Sequence, residues 1–382
     1  MGVWNDIELD DLELRTERLI LRALRGSDAD AVHEAMQHRG MHEFLPLPDP
    51  YTTADAAEFV NVISQNGRRH GTGLDSALVE RSSGALAGTA SIRLPRGERT
   101  GAEIGYAVYP HAQGKGYAAE ASRALTGWAF HHDVGRVQIR CAVRNLASAK
   151  TALNAGFRFE GVLRRDVLTP AGLRDGAVFA RLLDDAGDPI APTAPPLPVD
   201  GLSDGVVRLR VREPADLDAV LEEENDPETR RWEFTDHFPS RQRCATVLER
   251  AALDWLVGQV LRMSVVDVAS GDVAGSIQLR LAGPPQVANV GYGVHPRFRG
   301  GYAGRALRLL CRWAFEQADF ARLELGAKVG NVASQKAALA GGFLPDGIRA
   351  RRLRNPNGSF SDEARFALVN PHYGPTAQES EC

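Results

Sequence analysis

Residues 103–121 read EIGYAVYPHAQGKGYAAEA and predict a β-strand, a glycine-rich turn and an α-helix, in that order. The turn has two interpretations. It is either a plain glycine-rich connection, or an anion site made by the backbone N–H groups of the turn and of the helix N-terminus, to which Lys115 adds charge. The helix continues beyond the quoted stretch, because apolar residues recur at helical spacing: Ala121, Leu125 and Trp128.

The same pattern occurs twice in the chain. Residues 289–306 read NVGYGVHPRFRGGYAGRA, and this stretch begins 186 residues after the first one. Further matches keep the same order at offsets of 185 to 188 residues, and the clearest pairs RNLASAKTALNAGF (144–157) with GNVASQKAALAGGF (330–343). Ordered matches at a nearly constant offset indicate a repeated structural unit. The sequence therefore predicts two copies of one domain.

Each copy is expected to be a mixed α/β domain. In the first copy the predicted strands are 16–24, 75–81, 85–94, 101–109, 137–143 and 177–183, and the predicted helices are 27–36, 118–130 and 148–156. Five prolines occur in DDAGDPIAPTAPPLPVDG (184–201), a composition that keeps a chain extended. The predicted organisation is a first domain at 1–186, a linker at 187–202, a second domain at 203–372 and a tail at 373–382.

The composition of the 382 residues is that of an ordinary globular protein and argues against several classes. The 45 Lys and Arg against 49 Asp and Glu give a net charge of −4, whereas a protein that neutralises nucleic-acid phosphates normally needs a basic face. No apolar run reaches the roughly 18 residues of a membrane helix, and the N-terminus does not resemble a signal peptide. The four cysteines are scattered. We expect a cytoplasmic protein without a metal, a disulfide framework, or a nucleic-acid or membrane partner.

The motifs of the first copy resemble those of the GNAT (Gcn5-related N-acetyltransferase) superfamily, and in particular its RimJ/RimL-like branch. Gln113, Gly116 and Ala118 match the acyl-CoA signature Gln/Arg-x-x-Gly-x-Gly/Ala of that superfamily. Further matches to the branch are TERLILRAL (16–24), the EIGYAVYP strand, Asn145-x-x-Ser148 and GFRFEGVLRRDV (156–167). The resemblance extends over nearly the whole of both copies, and the order of the motifs makes it specific. It implies two tandem GNAT folds of the α+β type, each with a seven-stranded mixed sheet whose fourth and fifth strands splay apart.

The resemblance also implies where acetyl-CoA would bind. The pantetheine arm would enter the gap between the splayed strands and pair with backbone near Val108, and Asn145 would contact that arm or hold the local turn. The pyrophosphate would lie on the turn residues Gln113, Gly114, Lys115, Gly116, Tyr117 and Ala118. In this family the acetyl group passes directly from the thioester to an amine, with no acyl-enzyme and no metal.

Three residues are implied as catalytic. Glu103 lies on the strand where many family members place the general base, often acting through water, and Asp166 lies where RimL-like enzymes place an acid near the amine. Ser148 would lie near the thioester sulfur and assist the leaving thiolate. Each residue also has a structural interpretation, as a solvated carboxylate for the two acids and as a helix N-cap for Ser148. Which carboxylate is the base is left open.

The acceptor is less well specified than the donor. On the order of 0.1% of a lysine amine is neutral near pH 7.4, against about a quarter of an α-amine, so a lysine needs more help from a base. The resemblance favours a protein N-terminal α-amine, while a small-molecule amine such as an aminoglycoside or a polyamine also fits. A non-catalytic acyl-CoA-binding or regulatory module is the alternative function. The chain is expected to be a monomer or a homodimer.

The two copies differ where the chemistry is expected. The turn of the second copy is one residue shorter and has no counterpart of Lys115. Asn289 occupies the position of Glu103, and Arg352 occupies that of Asp166. Neither side chain serves readily as a base near neutral pH, because Asn does not ionise and Arg stays protonated. The sequence thus predicts a catalytic N-terminal copy and a weakened C-terminal copy.

Overall fold

The structure is a computed structural model and describes residues 13–93, 101–233, 239–281, 283–355 and 357–373. Its contacts divide the chain into two units, Met1–Ala191 and Pro192–Cys382. The predicted tail at 373–382 lies outside the described residues, apart from Tyr373.

The first unit combines one mixed sheet with five α-helices among its described residues. Its strands are β1 Leu14–Arg15, β2 Leu19–Ala23, β3 Gly73–Glu80, β4 Leu86–Arg93, β5 Gly101–Val108, β6 Arg136–Ala142, β7 Arg158–Thr169 and β8 Gly172–Leu182. Its helices are α1 Ala29–Met36, α2 Thr53–Glu58, α3 Ser64–Arg69, α4 Tyr117–His131 and α5 Leu146–Asn154. The strand order is β1-β2-β3-β4-β5-β6-β8-β7.

The second unit repeats this order. Its strands are β9 Leu202–Ser203, β10 Val207–Val211, β11 Val260–Asp267, β12 Val273–Arg280, β13 Val287–Val294, β14 Arg322–Lys328, β15 Leu344–Arg354 and β16 Phe360–Val369. Its helices are α6 Leu217–Asn225, α7 Pro227–Trp232, α8 Arg241–Leu256, α9 Tyr302–Glu316 and α10 Val332–Ala340. The strand order is β9-β10-β11-β12-β13-β14-β16-β15, which confirms two copies of one mixed-sheet fold.

Each described sheet has eight strands, whereas the resemblance implies seven. The additional strands, β1 and β9, have only two residues each and pair antiparallel with the strand that follows them. In the first unit the chain reverses between β1 and β2, and the N–H of Thr16 donates to the carbonyl of Leu19 in this turn. The extra strand is thus a short edge addition to the expected sheet.

The splayed strands lie at the centre of each sheet. Strand β5 pairs antiparallel with β4 as far as Val108, but its parallel pairing with β6 covers only Gly101–Ile104 against Arg136–Ile139. In the second unit β13 pairs with β14 only over Val287–Val290. The backbone of 105–108, and likewise of 291–294, therefore faces a gap on one side instead of a neighbouring strand. This is the gap that the resemblance implies.

Glycines end the short helices α5 and α10, and the residue that follows each glycine is buried in the core. Gly156 has φ +83°, its N–H donates to the carbonyl of Leu153, and the N–H of Phe157 donates to the carbonyl of Ala152. This pair of hydrogen bonds is the Schellman motif, which favours glycine at the left-handed position. Phe157 follows at 0% exposure. The sequence prediction that Gly156 ends its helix is confirmed.

The proline-rich segment 187–202 packs against both units. The N–H of Ile190 donates to the carbonyl of Leu153 in the first unit. Ala194 is 2% exposed within the core of the second unit, and the indole of Trp255 donates to the carbonyl of Pro195. The division between the units falls after Ala191, inside the predicted linker, whose two ends are thus held by different cores.

Replacing Phe157 tests how much the first unit depends on this packing. Phe157→Ala is expected to lower the free energy of unfolding by about 3–5 kcal/mol, because the cavity left by a buried ring collapses only in part. Leu173→Ala serves as the control, since Leu173 is 53% exposed, and it should change stability by less than about 0.5 kcal/mol. Urea denaturation of the full chain measures both, and equal effects would contradict the assignment of Phe157 to the core.

Candidate active site

The turn after β5 adopts a backbone conformation that glycine favours. Gly114 and Gly116 have φ of +74° and +79°, and Gly116 is the N-cap of the 15-residue helix α4. Side chains are strained at such angles, so both positions favour glycine for the backbone alone. The first N–H groups of α4 have no partner within the helix and carry its partial positive charge. This conformation fits an anion site, which is one of the two interpretations of the turn.

An ion pair from a distant part of the chain fastens this turn. The Arg18 guanidinium donates to the carbonyl of Lys115 at 2.8 Å and pairs with the buried carboxylate of Glu120. Glu120 also accepts hydrogen bonds from the Thr16 hydroxyl and from the N–H of Arg18. Burial alone would raise the pKa of Glu120. These hydrogen bonds outweigh burial and hold that pKa below its ordinary value of 4.5. Sequence reasoning missed both Arg18 and Glu120.

The Lys115 ammonium is already paired. It lies 2.9 Å from Glu80 Oε1, the same oxygen that accepts a hydrogen bond from the Tyr117 hydroxyl. Lys115, together with the Ser83 and Tyr117 hydroxyls, lowers the pKa of Glu80 to about 2. Lys115 and Tyr117, both predicted to bind CoA, are therefore held by the carboxylate of Glu80, a residue that the sequence analysis did not identify. The number of residues between Glu80, at the end of β3, and the turn gives no indication of these contacts.

Val108 and Gln113 are brought together at the end of the gap. The Gln113 amide donates to the carbonyl of Val108 at 3.2 Å. Val108 is the last residue of β5 and lies in the part of the strand that has no pairing with β6. The contact fixes the start of the turn relative to the gap.

Both predicted carboxylates meet at one arginine. Arg140, on β6, donates to Glu103 Oε2 at 2.9 Å through Nε and to Asp166 Oδ1 at 3.1 Å. Gln138 also donates to Glu103 at 3.2 Å. Asp166 reaches Arg140 because the pairing of β7 with β8 is irregular between Leu163 and Val167. We call Glu103, Arg140 and Asp166 the carboxylate network.

The predicted serine lies on the other face of β5. The Tyr106 hydroxyl shares a 2.8 Å hydrogen bond with Ser148 Oγ and also donates to the carbonyl of Ser148. Tyr106 and Glu103 lie on opposite faces of the strand, because side chains alternate along it. Burial raises the pKa of Tyr106, so its hydroxyl keeps its proton near neutral pH. Tyr106 and Ser148 form the hydroxyl pair.

The capping interpretation of Ser148 is wrong. The N-cap of α5 is Asn145, whose side-chain oxygen accepts a 3.0 Å hydrogen bond from the N–H of Ser148. Ser148 is instead the third helical residue. Its N–H is one of the unpaired donors that a cap satisfies, so Asn145 both begins the helix and fixes the position of Ser148. Asn145 thus holds the local turn, one of the two roles expected for it.

The second unit keeps the hydroxyl pair and lacks the carboxylate network. Tyr292 shares a 2.8 Å hydrogen bond with Ser334 Oγ, and Asn331 caps α10 as Asn145 caps α5. At the positions of Glu103, Arg140 and Asp166 the second unit has Asn289, Gly326 and Arg352. Its shorter turn still has two glycines of positive φ, Gly300 and Gly301, now adjacent.

The described ranges contain no group of three or more His, Cys, Asp or Glu residues arranged to hold a metal ion. None of the helices in these ranges combines the length and apolar character that a membrane span requires.

The fold and the repeated gap are those of an acetyltransferase family. The family model of the acetyltransferase (GNAT) domain matches residues 18–158 and again 207–344, more than half of the chain. The chain therefore belongs to the GNAT acetyltransferases and carries two such domains. It is an N-acetyltransferase of this family.

Three similar proteins each cover less than half of this chain. The uncharacterized N-acetyltransferase YnaD of Bacillus subtilis is 28% identical over 156 residues, which are 40% of this chain and 87% of YnaD. The ribosomal-protein-serine acetyltransferase of Escherichia coli is 34% identical over 88 residues, 22% of this chain and 47% of that protein. The structure of Mycobacterium smegmatis RimJ in complex with CoA-disulfide covers 47% of this chain and 90% of its own, at 21% identity and a TM-score of 0.42.

The contacts of Glu120 predict a stability effect that depends on pH. Glu120→Gln should lower the free energy of unfolding by about 1–3 kcal/mol near neutral pH, since it weakens charged hydrogen bonds to a buried group. Because the folded-state pKa of Glu120 is lowered, its contribution is present above about pH 4.5 and is lost as the pH falls through that lowered pKa. Urea titrations of wild type and variant should therefore converge in acid. The control is Glu17→Gln, which makes the same charge change at an exposed position. An equal loss of stability in that variant would contradict the assignment of the stabilising contacts to Glu120.

Proposed function

We propose that the first unit transfers the acetyl group of acetyl-CoA directly to a primary amine. One observation carries the proposal: the gap beside β5 has the carboxylate network on one face and the hydroxyl pair on the other. A thioester held in the gap would thus meet a proton acceptor on the side of the amine and a proton donor on the side of the sulfur. General base and general acid groups on opposite sides of the thioester would each assist direct transfer.

The residues around the gap fit CoA. Backbone at Val108 is free of pairing on the β6 side and can bond the amides of the pantetheine arm, and Asn145 holds the turn beside it. The turn Gln113, Gly114, Lys115, Gly116, Tyr117 and Ala118 presents a helix N-terminus to the pyrophosphate. Acetyl-CoA supplies the thioester-bound acetyl group.

The proton steps follow from the two faces of β5. Glu103 or Asp166 accepts the proton that the amine loses as its nitrogen bonds to the acetyl carbon, directly or through water. Arg140 keeps both carboxylates in place and disperses the charge between them. Tyr106, hydrogen-bonded to Ser148, donates a proton toward the sulfur as the carbon–sulfur bond breaks. The second unit has the donor pair without this acceptor, so turnover is assigned to the first unit.

The acceptor that we propose is the α-amine of a protein N-terminus. An α-amine is about a quarter neutral near pH 7.4, so a carboxylate base is sufficient help. The Escherichia coli relative is named a ribosomal-protein-serine acetyltransferase, and that name states a protein acceptor for the relative. An acceptor panel of peptides with free N-termini, N-terminally blocked lysine peptides and polyamines tests the choice. Transfer to polyamines alone would overturn it.

Glu103→Gln tests the acceptor side. The variant should lower kcat by about 100-fold or more near neutral pH, because it removes a carboxylate from the proton-acceptor face. Glu160→Gln is the matched control: Glu160 is also a carboxylate paired with an arginine, Arg136, but it lies outside the network. CoA release in the steady state measures both. An unchanged rate for Glu103→Gln, with a large loss for Asp166→Asn, would move the base role to Asp166.

Tyr106→Phe tests the donor side and the choice of unit together. It should lower kcat by about 10-fold to 100-fold with little change in the Kd for CoA, since only the proton donor is lost. Tyr292→Phe removes the equivalent hydroxyl from the second unit and should leave the rate unchanged. The reverse pattern would place turnover in the second unit.

A further inference from the structure

Arg18 joins the glycine-rich turn of the first unit to the helix that follows it. Its Nη1 donates to the carbonyl of Lys115 at 2.8 Å, while Nε and Nη2 contact Glu120 Oε2 at 2.7 and 2.6 Å. The guanidinium carbon also lies 5.1 Å from the centre of the Tyr117 ring. Three nitrogens of one planar group are thus used at once, two on the helix and one on the turn.

The contact at the carbonyl of Lys115 fixes the direction of the next N–H group. In a trans peptide the C=O and the N–H that follows it point in opposite directions. Since the carbonyl of Lys115 points toward Arg18, the N–H of Gly116 points away from it. Gly116 is exposed, and among the described residues no acceptor takes its N–H. This N–H therefore stays available to an anion at the start of α4.

The turn itself does little to hold this peptide in one orientation. Gly114 and Gly116 flank Lys115, with φ of +74° and +79°, and glycine adopts positive and negative φ about equally readily. A contact from outside the turn is needed to select one orientation of the peptide between Lys115 and Gly116. Arg18 supplies it, and Arg18 is itself held by the carboxylate of Glu120, which is 8% exposed.

The second unit has an ion pair at this place with its charges reversed. Val206 occupies the position of Arg18, and Arg305 occupies that of Glu120. Arg305 donates to Asp204 at 2.8 Å, so a pair still joins the helix to the chain before the strand. Among the described residues, however, no side chain donates to a carbonyl of the glycine-rich turn of this unit. Control of the turn by a guanidinium is thus a property of the first unit.

We propose that Arg18 is a positioning residue for the diphosphate of acetyl-CoA. It fixes the peptide between Lys115 and Gly116, so the N–H of Gly116 is oriented before CoA binds. Arg18 acts through the backbone of the turn and takes no part in proton transfer. The inference rests on the proposal that acetyl-CoA binds to the first unit, and it assigns to Arg18 the affinity for the donor.

Steady-state kinetics of Arg18→Lys in the full chain, with two acetyl donors, tests the proposal. For acetyl-CoA the KM should rise about 10-fold or more at a nearly unchanged kcat, because an ammonium group cannot bond the Lys115 carbonyl and Glu120 as the guanidinium does. For S-acetylpantetheine, which lacks the diphosphate, the KM should not change. Arg136→Lys is the matched control: it alters another arginine–carboxylate pair of the first unit and should leave both KM values unchanged.

Glu120→Gln distinguishes positioning from a direct contact between Arg18 and the diphosphate. The variant keeps Arg18 but weakens the contact that holds it, so the KM for acetyl-CoA should again rise, whereas a direct contact would be kept or strengthened. Thermal melting checks that each variant is folded. An unchanged KM for acetyl-CoA in folded Arg18→Lys would overturn the proposal. So would an equal rise for S-acetylpantetheine, or a lower KM for acetyl-CoA in Glu120→Gln.

Calorimetric titration with CoA separates this inference from the proposed acetyl transfer. If wild type binds CoA but transfers no acetyl group, the proposed function fails while the role of Arg18 can still be measured. The Kd for CoA should then rise about 10-fold or more in Arg18→Lys, and an equal Kd in the folded variant would overturn the inference. Absence of CoA binding by wild type would overturn both.

Discussion

The chemistry of each unit depends on where two central parallel strands stop exchanging hydrogen bonds. In the first unit pairing ends at Ile104 and Ile139, and in the second at Val290 and Leu325. Beyond these residues the backbone of 105–108 and of 291–294 needs partners that no strand supplies, since unpaired buried peptide groups are costly. An extended ligand with amides of its own meets that need. The same separation leaves the backbone of 105–108 without a neighbouring strand on the β6 side.

Electrostatics distinguish the two units more than their backbones do. Both keep a tyrosine hydroxyl on a serine, held by an asparagine cap, at closely similar distances. They differ on the other face, where the first unit has two acids on one guanidinium and the second has Glu223 and Glu363 seated over glycines. The two units thus share the hydroxyl pair and differ in the charged groups on the opposite face of the central strand.

The sequence predicted local structure well and long-range contacts poorly. The repeat, the strand–turn–helix pattern around Gly116 and the helix end at Gly156 depend on neighbouring residues, and all are present. The glycine-rich turn is held by a hydrogen bond from Arg18 to the carbonyl of Lys115. Arg18 lies about a hundred positions earlier in the sequence, so no local pattern predicts that contact. The alternative interpretation of Ser148 as an N-cap is wrong because Asn145, three residues earlier, is an equally good cap and takes that place. The contacts of Glu223 with Gly293 and of Glu363 with Gly326 could not be predicted, since each joins two elements that are far apart in the sequence.

The position of Arg140 between two acids constrains the order in which one copy could change into the other. Losing the arginine first would leave Glu103 and Asp166 facing each other without a cation, a combination that like charges disfavour. Losing the acids first would leave a half-buried guanidinium with its partners gone. The three positions are thus energetically coupled, and substitutions at them do not add independently. Single substitutions in this network are therefore disfavoured, whereas the hydroxyl pair is the same in both units.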